Sequence, residues 1–112
     1  MQKGSYLGEL EELILLAAAS LGENAYGLAI MEALNEKAKR NLSLSAVHTV
    51  LYRLEEKGLL RSEMGGATAE RGGRRKRLFK MTQYGAQALQ ENREVRESFW
   101  SSISLQWQGG NL

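Results

Sequence analysis

Apolar residues recur at helical spacing near the start of the chain. From residue 5 to 21 they return every three or four positions, with glutamates between them, which is typical of an amphipathic helix. Ser5 fits as its N-cap and Gly22 as its stop. The pattern therefore predicts a first helix over residues 5–21.

A second segment of helical periodicity spans residues 25–38 and follows Asn24, a residue type that caps helices well. Gly27 lies inside it, although a glycine there costs about 1 kcal/mol relative to alanine. A close approach of another helix at this position would explain the glycine.

A third amphipathic segment ends at Gly58 and begins at Ser43 or Ser45, either of which can cap it. Its apolar stripe consists of Val47, Val50, Leu51 and Leu54. The opposite face carries Ser45, His48, Thr49, Tyr52 and Arg53, and the pattern leaves open which of these turn partly inward. Since only a few residues separate the second and third helices, the pair is compatible with a helix-turn-helix.

The periodicity changes after the third helix. Residues 59–64 and 76–81 are short and strand-like, and the segment between them is rich in glycine and charge, which predicts a β-hairpin. Thr82 then caps a last helix over residues 83–107, and we expect the tail, residues 108–112, to be disordered.

This order of elements predicts a mainly α protein with a small β-hairpin. A hairpin directly after the third helix is the arrangement of a winged helix-turn-helix. We expect a winged-helix DNA-binding domain over residues 1–82 and a long C-terminal dimerisation helix over residues 83–107.

Charge is segregated along the chain, although the net charge is only +2. Residues 1–36 hold one lysine and six glutamates, a sum of −5, and residues 81–112 hold two arginines and three glutamates, a sum of −1. Residues 37–80 hold twelve lysines and arginines against four glutamates, a sum of +8. A basic block in a nearly neutral chain is a patch, and such patches attract polyanions.

Six of these basic residues lie within the stretch RGGRRKRLFK, residues 71–80. In a winged helix they would lie at the hairpin tip and on the returning strand, where arginine suits phosphate oxygens and narrow minor grooves. The alternative is a solvated loop whose charge keeps an edge strand soluble, but the preceding helix-turn-helix favours the wing. The expected contacts are Arg71, Arg74, Arg75, Lys76 and Arg77.

The polar face of the third helix offers a second set of contacts. A helix fits the major groove, hydroxyl groups donate to phosphates or base edges, and arginine reads guanine. The candidates are Ser45, His48, Thr49 and Arg53, with an ordinary solvent-facing surface as the alternative. Glu55 and Glu56 would repel phosphate, so base contacts should concentrate in the first half of this helix.

The chain has almost none of the cysteine and histidine residues that catalysis and metal binding often use. The chain has no cysteine, and His48 is its only histidine, so hydrolase triads and zinc sites lack their residues. We therefore expect no catalytic residue, no metal site and no cofactor. The longest apolar run, residues 13–19, is far shorter than the roughly 20 residues of a membrane helix. We expect no membrane partner and a cytoplasmic location.

The last helix carries an aromatic cluster near its C-terminal end, beyond the reach of a domain this small. The simplest cover for it is the same helix of a second chain, in a two-fold interface. Packing back onto the first helix is the alternative. The predicted homodimer contacts are Phe99, Trp100, Ile103 and Trp107.

Three stretches, in order, make the chain resemble the PadR family of bacterial transcriptional regulators. They are LGELEELILLAAASLGENAYGLAI, LSLSAVHTVLYRLEEKGLLRSEMG and TAERGGRRKRLFKMTQYG, which lie between Leu7 and Gly85, and the resemblance extends to about Leu89. Several relatives have tyrosine where this chain has His48. The resemblance implies a homodimeric winged-helix protein that binds double-stranded DNA, usually as a repressor of nearby genes, and dimerises through its C-terminal helix.

The single short C-terminal segment is similar to that of the compact members of the family. Some of these sense flat aromatic drugs between tryptophans in the dimer, and the resemblance makes Trp100 and Trp107 candidates for binding a small aromatic effector.

From the residues alone, two other functions remain open. A winged helix can instead bind a protein partner or RNA, and an enzyme would be the other departure. An affinity that falls steeply with salt and favours one duplex over others would select the sequence-specific DNA-binding regulator. A two-fold dimer would further predict a palindromic operator.

Overall fold

The computed structural model describes residues 7–65 and 76–103. Its elements, in chain order, are helices α1 (Glu9–Leu21), α2 (Gly27–Lys37) and α3 (Leu44–Glu56), strands β1 (Leu60–Met64) and β2 (Arg77–Met81), and helix α4 (Gln83–Ser101). A short 3₁₀ turn, Gly22–Asn24, joins α1 to α2. The prediction of a mainly α protein with a small β-hairpin is confirmed.

Helix α1 begins at Glu9, so its predicted start at residue 5 is wrong. The side chain of Glu11 turns back and accepts a hydrogen bond from the backbone N–H of Gly8, at 3.0 Å, which closes the first turn there. Ser5, the predicted cap, lies outside the described residues.

Helix α2 begins two residues later than predicted, with Tyr26 rather than Asn24 at its N-cap. Asn24 belongs to the 3₁₀ turn, and the next two residues pair with the hairpin instead. The backbone N–H of Phe79 donates to the carbonyl of Ala25 at 3.0 Å, and Tyr26 forms a β-bridge with Leu78. This pairing ties the start of α2 to β2.

The turn between α2 and α3 is held by one side chain. The Asn35 amide donates to the carbonyl of Leu42 at 3.2 Å and accepts from the N–H of Leu42 at 2.8 Å. Helix α3 is then capped by Ser43, whose hydroxyl accepts from the N–H of Ala46 at 3.1 Å. Of the two serines predicted as caps, Ser43 is therefore the one used.

The core forms where α1, α2, α3 and the hairpin meet. The predicted apolar stripe of α3 is buried in full, and its partners come from every other element. The largest fully buried side chains are Phe79, Ile14, Leu15, Ile30, Leu51, Leu54, Leu60 and Val47.

Strands β1 and β2 pair antiparallel, from Leu60 opposite Met81 to Met64 opposite Arg77. The predicted strands are thus confirmed to within one residue. The hairpin segment between them lies outside the described residues.

Helix α4 starts at the predicted cap. The Thr82 hydroxyl donates to the carbonyl of Gly58 at 2.6 Å and accepts from the N–H of Gly85 at 3.1 Å. Gly85 rests on the backbone carbonyl of Leu59, where a methyl group would clash. The helix ends at Ser101, so its predicted extension to residue 107 is wrong, and the predicted disordered tail lies outside the described residues.

Candidate nucleic-acid interface

The outer face of α3 carries a row of polar side chains. Ser45, Thr49 and Arg53 form a polar row and are all exposed. The Thr49 hydroxyl donates to the carbonyl of Ser45 at 3.0 Å, so its proton is used within α3 while its oxygen can still accept a hydrogen bond. Three of the four predicted α3 candidates therefore share one accessible face.

His48 differs from the other candidates on α3, because it turns inward. A Cβ built on Gly27 would lie 2.6 Å from Nε2 of His48, which means that the ring rests on the backbone of α2. The ring also stacks on Tyr52, with centroids 5.7 Å apart, and lies 6.2 Å from that of Phe79. Its Nδ1 is buried and has no hydrogen-bond partner among the described residues. The sequence pattern left open which residues of this face turn partly inward, and His48 does so because the missing side chain of Gly27 leaves room for the ring.

Tyr52 is the exposed aromatic residue that this packing supports. Its ring lies against His48 on one side and 6.1 Å from Phe79 on another, while much of it remains accessible. Sequence reasoning named it on this face without making it a candidate contact. Its aromatic neighbours, which come from two different elements, would not show in a local pattern.

Two of the predicted wing residues, Lys76 and Arg77, lie just before and at the start of β2 within the described residues. The ammonium of Lys76 lies over the ring of Tyr26, 5.4 Å from its centroid, a cation–π distance. The carbonyl of Lys76 accepts from the N–H of Gly65 at 2.6 Å, which extends the hairpin by one pair. A lysine at the tip end of the described hairpin thus lies against Tyr26, the N-cap of α2.

Arg77 is connected to α3 through a hydroxyl group. Its guanidinium donates to the Ser62 hydroxyl at 3.0 Å, and that hydroxyl donates to the Glu55 carboxylate at 2.8 Å. Through Ser62, the positive charge of Arg77 partly neutralises the Glu55 carboxylate near the C-terminal end of α3. Arg71, Arg74 and Arg75, the other predicted wing contacts, lie outside the described residues.

Lys80 belongs to the same basic stretch but has a separate role. It pairs with Glu23 at 2.9 Å, on the 3₁₀ turn. It therefore connects β2 to the 3₁₀ turn that follows α1.

A half-buried ion pair fixes α3 to α1. The ammonium of Lys57 donates to both carboxylate oxygens of Glu11, at 2.9 and 3.0 Å. Burial raises the pKa of the Glu11 carboxyl, but the hydrogen bonds from Lys57 and the Gly8 N–H outweigh it and set the pKa below its ordinary value.

The C-terminal end of α4 carries large apolar side chains that the described residues leave exposed. Phe99 and Trp100 are 70% and 69% exposed, and Val95 is exposed as well. Ile103 is half-buried, and Trp107 lies outside the described residues. The predicted dimer residues that the structure describes therefore lie near the same end of the chain.

Helix α1 borders this apolar end. The Arg96 guanidinium on α4 donates to the Glu12 carboxylate on α1 at 2.8 Å. A shallow groove between the two helices is lined by Arg96 and, on α1, by Glu9, Glu12, Leu13 and the exposed Leu16. Leu16 was missed because the sequence stripe of α1 was assigned to residues on its core face. The available signal was the unbroken apolar run of residues 13–19, which is too long to lie on one face of a helix, so that one of its members must leave the core stripe.

Within the described parts of the chain, no helix is both long and apolar enough to cross a membrane. A helix-turn-helix followed by a β-hairpin is a winged helix, which defines the class of protein. The family model described as the Transcriptional regulator PadR-like family matches residues 15–91. The chain belongs to this family and is a DNA-binding transcriptional regulator, not an enzyme.

Solved structures share the fold. A PadR-like transcription factor from Bacteroides fragilis is 26% identical, with a TM-score of 0.70, and the match covers 83% of this chain and 84% of the other. A PadR-like transcriptional regulator from Bacillus cereus is 20% identical, with a TM-score of 0.70 and coverage of 89% and 92%. A PadR family regulator from Clostridium difficile is 24% identical, with a TM-score of 0.64 and coverage of 91% and 100%. None of the curated proteins compared with the chain matches it.

Proposed function

We propose that this protein is a transcriptional repressor that binds a palindromic operator as a homodimer in the cytoplasm. The observation that carries the proposal is the uncovered aromatic end of α4, where Phe99 and Trp100 stand in solvent. Burial of a large apolar side chain stabilises by roughly 1.5–3 kcal/mol, so two per protomer favour a partner.

The proposed partner is a second copy, whose α4 packs on Phe99, Trp100, Ile103 and Trp107 and on the adjoining groove at Leu16. A two-fold axis at this interface would present two α3 helices to one face of a duplex. Half-sites of opposite orientation would result, and a dimer bound across a promoter would block transcription. This assigns residues 1–82 to the DNA-binding unit and residues 83–107 to assembly.

Within each half-site, we assign base contacts to the polar row Ser45, Thr49 and Arg53. Ser45 and Thr49 lie in the N-terminal half of α3, the part of a recognition helix that reaches base edges, and Arg53 lies in its last turns and reaches a base through its long side chain. We assign backbone contacts to the wing, through Arg71, Arg74, Arg75, Lys76 and Arg77. His48, because it rests on Gly27, acts by supporting Tyr52 and α3, and it contacts DNA only if its ring moves.

A selection from random duplexes with the full-length protein tests this function. We expect an enriched inverted repeat, with affinity that falls steeply as salt rises. Transcription in vitro from a promoter carrying that repeat should decrease when the protein is added. A single unrepeated site, an increase in transcription, or tighter binding to RNA than to any duplex would contradict the respective part of the proposal.

The aromatic effector remains a narrower proposal, supported by the exposed indole of Trp100. A flat aromatic compound that stacks between tryptophans of the dimer should quench their fluorescence and change operator affinity. Quenching without a change in affinity would count against a regulatory role.

A further inference from the structure

The first residue of α3 is an exposed leucine that no role yet assigned explains. Leu44 directly follows the N-cap Ser43 and is 40% exposed. It stands next to the polar row, at the end of the helix that a helix-turn-helix directs toward base edges. The described residues leave this apolar side chain partly exposed at the N-terminal end of α3.

The hydroxyl groups around Leu44 already have local partners. Ser43 accepts from Ala46 and lies 3.3 Å from the Ser45 hydroxyl, and Thr49 donates to the backbone of Ser45. The first turns of α3 are thus poorer in available donors than their composition suggests, and richer in apolar surface. Beside the polar contacts assigned to Ser45 and Thr49, the exposed Leu44 side chain would match an apolar group on the DNA.

Only one base offers that complement in the major groove. Thymine carries a C5-methyl group there, whereas the other base edges present donors and acceptors. We propose that Leu44 is a specificity-determining residue that reads a thymine methyl group in each half-site. This inference rests on the proposed function, because it places α3 in the major groove.

The test removes the methyl group and nothing else. In the duplex selected by the full-length protein, each thymine in turn is replaced by deoxyuridine, which keeps the base-pairing and groove hydrogen-bonding groups. We expect one position per half-site at which the replacement weakens binding about fourfold, the equivalent of ~0.8 kcal/mol for one buried methyl-sized group.

The Leu44→Ala variant, its fold verified by thermal melting, should bind the unmodified duplex more weakly and should lose this sensitivity to deoxyuridine. Leu44→Ile should keep it. Leu28→Ala is the matched control, because Leu28 is 48% exposed on α2, and it should show the same sensitivity as the parent protein.

The outcomes distinguish a failure of the Leu44 proposal from a failure of the proposed function. If the parent protein binds its repeat but no thymine is sensitive, or if Leu44→Ala remains equally sensitive, then Leu44 does not read a methyl group and the proposed function stands. If no sequence is enriched at all, the proposed function fails and the inference fails with it.

Discussion

The backbone of Gly27 and the imidazole of His48 are in direct contact across the helix-turn-helix. A methyl group at position 27 would lie 2.6 Å from Nε2 and 2.8 Å from Cε1 of the ring. The glycine thus lets α2 and α3 approach closely, and the histidine fills the space that a side chain would occupy. The ring in turn supports Tyr52 on the outer face.

This contact predicts that Gly27→Ala destabilises the fold by about 1–3 kcal/mol, the usual cost of overpacking. In a His48→Ala background the same substitution should be neutral or stabilising, because alanine is the better helix former by about 1 kcal/mol. Urea unfolding of the four proteins gives the coupling free energy. An equal cost of Gly27→Ala in both backgrounds would show that the ring is not what the methyl group meets.

Gly85→Ala provides the contrast. Its added methyl group would meet the backbone carbonyl of Leu59 rather than a side chain. We expect it to be destabilising in either background, since no truncation of His48 makes room at that position.

Much of the fold was predictable because its signals are local. The apolar stripe of α3, the caps Ser43 and Thr82, and both strands follow from residues within a few positions of each other. The close helix approach expected at Gly27 is also confirmed, because a glycine inside a helix needs a reason.

The errors have long-range causes. Asn24 is a good cap by composition, but the pairing of Tyr26 with Leu78 delays α2, and those residues lie far apart in sequence. His48 fits a solvent-facing position by periodicity, and only its contact with Gly27 turns it inward. Interactions between distant elements leave no trace in local spacing.

The proposed wing contacts should contribute to the affinity for every DNA duplex, whatever its sequence. Replacing Arg74 and Arg75 by alanine should weaken binding to every duplex by a similar factor, because phosphate contacts carry no sequence information. The slope of log affinity against log salt should flatten by roughly 0.9 per lost contact. Filter binding or anisotropy over a salt series measures both.

Lys80→Ala is the matched control, because Lys80 pairs with Glu23 and is assigned no phosphate contact. Its salt slope should equal that of the parent protein. An unchanged slope in the double arginine variant would remove the wing from the interface.

Acid stability should depend on Glu11. Its pKa is lowered in the folded protein, so the stabilisation is fully present above its ordinary value of 4.5 and is lost as pH falls through the lower folded pKa. Glu11→Gln should therefore lower the free energy of unfolding at pH 7 by about 1.5–3 kcal/mol, the usual range for hydrogen bonds to a charged group. It should also flatten the decline of stability below pH 4.5 in chemical unfolding.

Glu9→Gln is the control for this prediction. Glu9 pairs with Arg40 at an exposed position, where an ion pair contributes about 0–1 kcal/mol. If both variants showed the same pH dependence, the half-buried pair of Glu11 and Lys57 would not be the cause of the acid sensitivity.

Assembly should depend on the exposed end of α4. Its 19 residues extend roughly 28 Å at 1.5 Å per residue, and Phe99 and Trp100 lie in its last turn, away from the core. Since neither ring is buried in the protomer, Phe99→Ser with Trp100→Ser should leave the fold intact but abolish the dimer, as measured by sedimentation at micromolar concentration. The exposed Tyr84 lies at the other end of the same helix, so Tyr84→Ser should remain dimeric.

Operator affinity should fall in the double variant of Phe99 and Trp100, because each half-site is then engaged alone. A parent protein that sediments as a monomer, both free and with its duplex, would contradict the dimer and the palindromic site together.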